Sequence, residues 1–294
     1  SSEQLSIYYE LPDIVQGAIV VAVGSSFPEL STVVLSTVLH GEFDLGVSAI
    51  VGSAIFNILI IPSISGLATN QQLNSNRDLV YKEAQFYIIS VAVLMITFSF
   101  AAIFNPVSSA DGMILGELNR TLALIPIALY GLYIFIQYQD TMDFQPEWKP
   151  EDINPLRQWG QLTVSLIVIL VGVEMLVQAA ISFGNILGTP SFLWGVSIVA
   201  AGTSIPDLFV SVRKARKGEA STALANALGS NIFDLLVCIP TGVLIAGTAI
   251  IRGYGREHEL EADRLGAEYL ARTGYTPGAM LEVIEVLKDQ EQFE

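Results

Sequence analysis

The sequence predicts an all-α polytopic membrane protein: about seven transmembrane helices with inverted-topology repeats, plus a short helical C-terminal tail. Three observations carry that prediction. Hydrophobic residues make up 52% of the 294-residue chain and charged residues only 15%, where soluble domains carry about a quarter charged. The charges cluster between continuous apolar runs, each near the roughly 20 residues that a bilayer core requires. Finally, two signatures each occur twice. Gly24-Ser25-Ser26-Phe27-Pro28-Glu29-Leu30 is matched by Gly202-Thr203-Ser204-Ile205-Pro206-Asp207-Leu208, and Gly52-Ser53-Ala54-Ile55-Phe56-Asn57 by Gly229-Ser230-Asn231-Ile232-Phe233-Asp234.

The apolar runs fall at 14–39, 45–68, 84–104, 118–138, 162–183, 192–212 and 223–250. They are continuous and lack a two-residue alternation, so strands are not expected. Lys and Arg mark alternate loops: Arg77 and Lys82, then Lys149 and Arg157, then Arg213, Lys214, Arg216 and Lys217. The loops around Gly41, Ser108 and Leu187 carry none. Loops 69–83, 139–158 and 213–222 are therefore expected in the cytoplasm, and the tail outside. Arg120, near the start of the fourth run, fits neither set. An odd number of crossings separates the two Pro-acid signatures, so their helices run in opposite directions, as in transporters built from inverted repeats. The spacing agrees: Asn57 follows Glu29 by 28 residues and Asp234 follows Asp207 by 27.

A formal net charge of −15 excludes a nucleic-acid surface, which needs a basic face. Much of the acid lies in a linker at 140–158 and in the tail after residue 250. The single cysteine, Cys238, cannot close an intrachain disulfide and reads as packing. The opening Ser1-Ser2-Glu3 reads as a fragment boundary.

Proline in a helix interior lacks an N–H and crowds the carbonyl four residues back. Pro28 therefore frees the carbonyl of Gly24, and Pro206 that of Gly202. In hydrocarbon a freed carbonyl must find another partner, and a cation is one. A hydroxyl stands four residues before an acid or amide in all four signatures: Ser25 before Glu29, Ser53 before Asn57, Thr203 before Asp207, Ser230 before Asp234. That spacing puts both oxygens on one helix face. Ser26 and Ser204 add hydroxyls within the same turns. One acid at a helix centre costs about 2.5–3.5 kcal/mol, and no Lys or Arg lies near these acids in their runs. Protons or bound cations must compensate. An all-oxygen set suits Ca²⁺ and Na⁺. His40 and His258 are far apart and no Cys/His cluster exists, so zinc and copper are not expected. Gly52 and Gly229 read as packing residues. Glu174, in the fifth run, either lines a pathway or satisfies a neighbouring helix.

At these residues the chain resembles the cation/calcium exchanger superfamily, the sodium/calcium exchangers. GSSFPELSTVV with GSAIFNIL, and GTSIPDLFVSVRKARKG with GSNIFDLL, look like its two α-repeats, and the resemblance spans residues 14–250. Asp207 looks like the potassium-dependent branch, in which the acid matching Asp234 is associated with K⁺ coupling. The resemblance implies a secondary antiporter exchanging Na⁺ for Ca²⁺, with K⁺ a further candidate cargo. It implies that Glu29 and Asp207 bind Ca²⁺. Ser25, Ser26, Ser53, Asn57, Thr203, Ser204, Ser230 and Asp234 would complete the Ca²⁺ and Na⁺ sites, assisted by backbone carbonyls near Ala22 and Ala200. The partners implied are the lipid bilayer and these ions, in a prokaryotic cytoplasmic membrane; no nucleic acid is expected and no protein partner is inferable. The family usually has ten spans. Residues 1–139 would form a first half lacking its first helix, and residues 159–250 a second half lacking its last two.

The tail, 251–294, is polar and helical in pattern, with an apolar stripe at Met280, Val283, Ile284 and Leu287. Around Glu259-Leu260-Glu261-Ala262-Asp263 it resembles the latter part of an M48-type zinc metallopeptidase, over residues 252–294. That resemblance implies Glu259 as a zinc ligand supported by Asp263. The His-Glu-x-x-His pair that supplies the other ligands does not occur in the chain, and one carboxylate does not hold zinc alone. The tail is therefore expected to be catalytically inactive, and the protein a transporter rather than an enzyme. Two alternatives remain: a non-transporting cation-binding fragment of a fused or misassembled frame, and a membrane-anchored remnant of an M48 zinc peptidase.

Overall fold

A backbone in hydrocarbon must bond to itself, and the apolar runs do so as helices. A computed structural model describes residues 22–69, 83–108, 114–141, 154–218 and 220–252. In chain order the elements are α1 (Ala22–Ser25), α2 (Phe27–His40), α3 (Phe43–Leu67), α4 (Gln85–Phe104), β1 (Pro106–Ser108), β2 (Ile114–Asn119), α5 (Arg120–Thr141) and α6 (Pro155–Leu187). There follow α7 (Ser191–Trp194), a π-helical turn (Gly195–Val199), α8 (Ala200–Thr203), α9 (Ile205–Arg216), α10 (Ala220–Phe233), a second π-helical turn (Asp234–Cys238), α11 (Ile239–Ala246) and β3 (Thr248–Arg252).

Among the described residues, five helical stretches are long and apolar enough to cross a bilayer: Phe43–Leu67, Gln85–Phe104, Arg120–Gln139, Pro155–Leu187 and Ala223–Ala246. A sixth span is broken, Ser191–Thr203 followed by Ile205–Arg216 at a 42° bend. The first expected run is described only from Ala22 onward, as α1 and α2. Its earlier part, linker residues 142–153 and the peptidase-like stretch with His258, Glu259 and Asp263 lie outside the described residues. The fifth run begins earlier than its apolar stretch suggested. Asn154 caps α6 by accepting from the Arg157 N–H, Pro155 sits in the first turn, and Gly188 closes the far end at φ 63°, a left-handed stop that favours glycine.

The surface is apolar and the interior polar. Leu67, Ile186 and Phe209 are 88%, 77% and 71% exposed, whereas Glu29, Asn57, Asp207 and Asp234 are buried. A water-soluble fold does the reverse; here lipid covers the apolar side chains, and the chain is an integral membrane protein. Two apolar clusters flank the polar centre. One gathers Val33, Ile50, Tyr133, Ile232 and Leu236; the other joins α3 and α6 through Leu45, Ala49, Val173 and Val177.

Strands do occur, which the apolar runs did not predict. β1, β2 and β3 form a small antiparallel sheet in that order, with Leu115 opposite Arg252 and Asn119 opposite Thr248. The fourth and seventh runs each lose an end to it. Helix α11 stops at Gly247, φ 90°, and the strands beyond it satisfy backbone groups that the helices no longer pair. The β2–β3 pairing places the connection between the third and fourth runs on the same side of the bundle as the end of the seventh.

Arg120 has a local task. Its Nε donates to the Leu244 carbonyl at 3.0 Å, one of the last carbonyls of α11. A cation there opposes the negative helix terminus, worth about 0.3–1 kcal/mol. Arg120→Ala should lower thermal stability by about that amount and Arg120→Lys by less; equal melting temperatures for all three proteins would discount this cap.

Glycine shapes one crossing. A Cβ on Gly52 would overlap the Val196 carbonyl oxygen and Ala200 Cβ, and one on Gly195 would overlap Ser48 Oγ. α3 thus lies directly on the π-helical turn within the first half of the broken span. At Gly229, which is buried, a Cβ would meet nothing within 4 Å among the described residues.

Candidate cation-binding site

The two Pro-acid signatures fold alike. α1 gives way to α2 at Ser26 (φ −90°, ψ 9°), and α8 to α9 at Ser204 (φ −81°, ψ −3°). Pro28 and Pro206 are each the second residue of the new helix, where a missing N–H costs nothing. Each break leaves a half-helix ending in carbonyls and starts a second whose first turn carries the acid: Glu29 in α2, Asp207 in α9. The positive end of each second half-helix favours a carboxylate.

The other pair of signatures differs in one respect. Ser53 and Asn57 lie on continuous α3, with Pro62 inside it. Ser230 is on α10, and Asp234 opens the π-helical turn. Pro62 follows Asn57 by five residues, but Pro240 follows Asp234 by six. A π turn takes up one extra residue, so the second copy absorbs its insertion beside the acid.

These residues meet. Ser53 Oγ lies 3.4 Å from Glu29 Oε1 and 3.4 Å from Asp234 Oδ2, and Ser204 Oγ donates to Ser53 Oγ at 2.8 Å. One turn along α3, Asn57 Nδ2 lies 3.4 Å from Asp207 Oδ2 and donates to Asn231 Oδ1 at 3.0 Å. One face of α3 therefore bridges Glu29 and Asp234 through Ser53 and reaches Asp207 through Asn57. Ser25, Ser230 and Asn226 flank the Asp207 carboxyl, and Thr203 flanks Glu29. Ser25, Ser26, Thr203, Ser204 and Ser230 are buried with them. Ala200 is buried, and its carbonyl accepts from Ser204 N at 3.1 Å and Thr203 Oγ1 at 3.2 Å. Ala22 opens α1.

Hydrogen-bond supply falls short of demand. One hydroxyl carries one proton, so Ser53 cannot serve Glu29 and Asp234 at once. Ser26 Oγ, Glu29 Oε2, Asn57 Oδ1, Asp207 Oδ1 and Ser230 Oγ are buried with no hydrogen-bond partner among the described residues. These five, of ten such atoms among the described residues, come from the duplicated signatures. No ion pair among the described residues reaches Glu29, Asp207 or Asp234. Buried oxygens normally find partners, and each one left over costs about 1–3 kcal/mol, more when charged. A cation among them would recover that cost. No three Asp, Glu, His or Cys side chains among the described residues converge closely enough to hold an ion alone, so hydroxyl and amide oxygens would have to share the coordination.

The sequence pointed to the hydroxyls and acids but left three neighbours without a role at the site. Asn231 links Asn57 to the Ala54 carbonyl. Asn226 stands between Asp207 and Ser211. Cys238 Sγ approaches Asp234 Oδ1 at 3.7 Å, one turn on. Asn231 had a visible signal, since the first copy has Ala54 in its place; Asn226 lies outside both motifs. Glu174 stands apart from this network. Its Oε1 pairs with His40 Nε2 at 2.8 Å and accepts from Gln178, which satisfies a neighbouring helix.

The family model described as "Sodium/calcium exchanger protein" matches residues 1–139 and 157–270, running past residue 250 into the tail. "Inner membrane protein YrbG" of Escherichia coli (strain K12) is 27% identical over 266 residues, covering 86% of this chain and 76% of its own. Among solved structures, the sodium-calcium exchanger NCX_Mj superposes with a TM-score of 0.58 at 20% identity, covering 86% of this chain and 77% of its own. The H⁺/Ca²⁺ exchanger CAX gives 0.58 at 14% identity, covering 88% and 66%. At those identities the two structures establish the shared fold.

Proposed function

The chain belongs to the sodium/calcium exchanger protein family, and from that premise we propose that it is a secondary antiporter that exchanges Na⁺ for Ca²⁺ at the site between its two halves. The class, a cation/Ca²⁺ exchanger in a membrane, follows from the family. Na⁺ as counter-ion and the ligand assignment are our own.

One observation carries the proposal: four inverted signatures contribute five buried oxygens that have no partner among the described residues. Ca²⁺ takes six to eight oxygens. Glu29, Asp207 and Asp234 would supply charge, with Asn57, Ser25, Ser26, Ser53, Thr203, Ser204 and Ser230 filling the shell and carbonyls near Ala22 and Ala200 at its edge. The same oxygens serve a divalent ion or several monovalent ones, but not both together. Binding of one ion therefore favours release of the other, which is what exchange requires. The breaks at Ser26 and Ser204 set each acid at a joint between two half-helices, so a small rotation there would change which side the carboxylates face.

In proteoliposomes loaded with Na⁺, Ca²⁺ uptake should rise with the outward Na⁺ gradient. Uptake that follows a pH gradient and ignores Na⁺ would assign H⁺ as counter-ion instead. K⁺ is tested separately. If Asp234 holds K⁺, added K⁺ should stimulate the wild-type flux and leave Asp234→Asn unaffected; a wild-type flux indifferent to K⁺ removes that role. We place loops 69–83, 139–158 and 213–222 in the cytoplasm of a prokaryotic cell and the tail outside, without peptidase activity. Stoichiometric zinc in the purified protein would argue for the hydrolase alternative.

A further inference from the structure

The buried face of α9 carries Asp207, Ser211 and Ala215 at four-residue intervals. Its opposite face changes character along its length. Ile205 and Phe209 are exposed and apolar; Arg213, Arg216 and Lys217 are exposed and cationic. At about 1.5 Å per residue, Lys217 lies about 12 Å beyond Phe209. Phe209, Val212, Arg213, Arg216 and Lys217 together border a cavity of about 500 Å³. None of the three cations has an ion-pair partner among the described residues.

We infer that this face binds an anionic phospholipid, with Arg213, Arg216 and Lys217 around its phosphate headgroup and Phe209 and Val212 along an acyl chain. The charge match names the occupant: three cations without an ion-pair partner among the described residues stand next to exposed apolar side chains, which suits a headgroup and its acyl chain. Complementing a helix terminus, or orienting a loop, needs positive charge near the end of α9. Neither requires a cavity lined jointly by cations and an exposed aromatic. The contrast with α6 is informative. The cavity beside Arg157 is larger, about 700 Å³, but it is bordered by Gly160, Gln161, Val164 and Ser165 and holds one cation. A headgroup on α9 would tie down the far end of the helix whose first turn holds Asp207, so lipid composition would tune exchange. Only this last step rests on the antiport proposal.

Two readouts separate the lipid site from the antiport reading. The purified protein is titrated with phosphatidylglycerol in a phosphatidylcholine background and bound lipid is counted by native mass spectrometry. Phosphatidylglycerol should be retained selectively. Each cation replaced in Arg213→Gln, Arg216→Gln and Lys217→Gln should cost about fivefold in affinity. Inorganic phosphate should fail to displace the lipid, because it lacks the acyl chain. In vesicles, Ca²⁺ flux by the wild type should rise when phosphatidylglycerol is present, and the triple variant should lose most of that rise while keeping its phosphatidylcholine flux. Equal retention by wild type and triple variant, or displacement by inorganic phosphate, overturns the lipid site. A flux of zero in every lipid, with selective retention intact, counts against antiport and leaves the lipid site standing. Matching melting temperatures of the two proteins establish that the variant is folded.

Discussion

Glu29→Gln and Asp207→Asn should each reduce Ca²⁺ flux and Ca²⁺ binding by roughly two to three orders of magnitude, as expected when a buried charge partner is removed. Both acids are buried, with Glu29 Oε2 and Asp207 Oδ1 lacking a hydrogen-bond partner among the described residues. Left without an ion, these buried oxygens are a cost. The variants should therefore melt at higher temperature than the wild type in ion-free buffer, and should lose the stabilisation that Ca²⁺ gives the wild type through binding linkage. This opposite movement of stability and flux separates a ligand from a structural residue. A structural acid would, on replacement, lower stability and flux together. Undiminished flux in either variant would falsify the ligand assignment.

Gly52→Ala should be nearly as damaging, for a steric reason. The new methyl would overlap the Val196 carbonyl oxygen and Ala200 Cβ, backbone and a short side chain that cannot swing aside. Overpacking of this kind costs about 1–3 kcal/mol. It would also push α3 away from the broken span, separating Ser53 from Ser204, which now bond at 2.8 Å. Flux should fall at least tenfold, on the scale of 1.4 kcal/mol per decade. Gly229→Ala, the same change at the equivalent motif position, meets nothing within 4 Å among the described residues and should leave flux and melting temperature close to wild type. Comparing the two variants by flux and by thermal melting is the check; equal damage at both positions would mean that the Gly52 crossing is not tight.

Much of this site was legible because its chemistry is costly in hydrocarbon. Glu29, Asp207 and Asp234 stood out as acids in apolar runs, and Pro28 and Pro206 announced where their helices break. The paired Ser and Asn positions followed from four-residue spacing. What sequence could not give was everything that depends on which helices cross. Gly52 and Gly229 are indistinguishable as letters, yet among the described residues only Gly52 faces another backbone. The π turn at Asp234 was hidden in a one-residue difference between Asn57–Pro62 and Asp234–Pro240. Asn226 and Cys238 join the site through tertiary packing, and Arg120, which fitted no loop, caps a helix distant in sequence. The three strands were missed because an apolar run does not reveal where hydrocarbon ends and edge pairing begins.

The most direct measurement is an anomalous difference map from crystals grown with Ca²⁺. The account predicts an ion peak inside the bundle, about 2.3–2.6 Å from carboxylate oxygens of both Glu29 and Asp207. A peak elsewhere, or a map in which those two side chains point to lipid or share no ion, would contradict it.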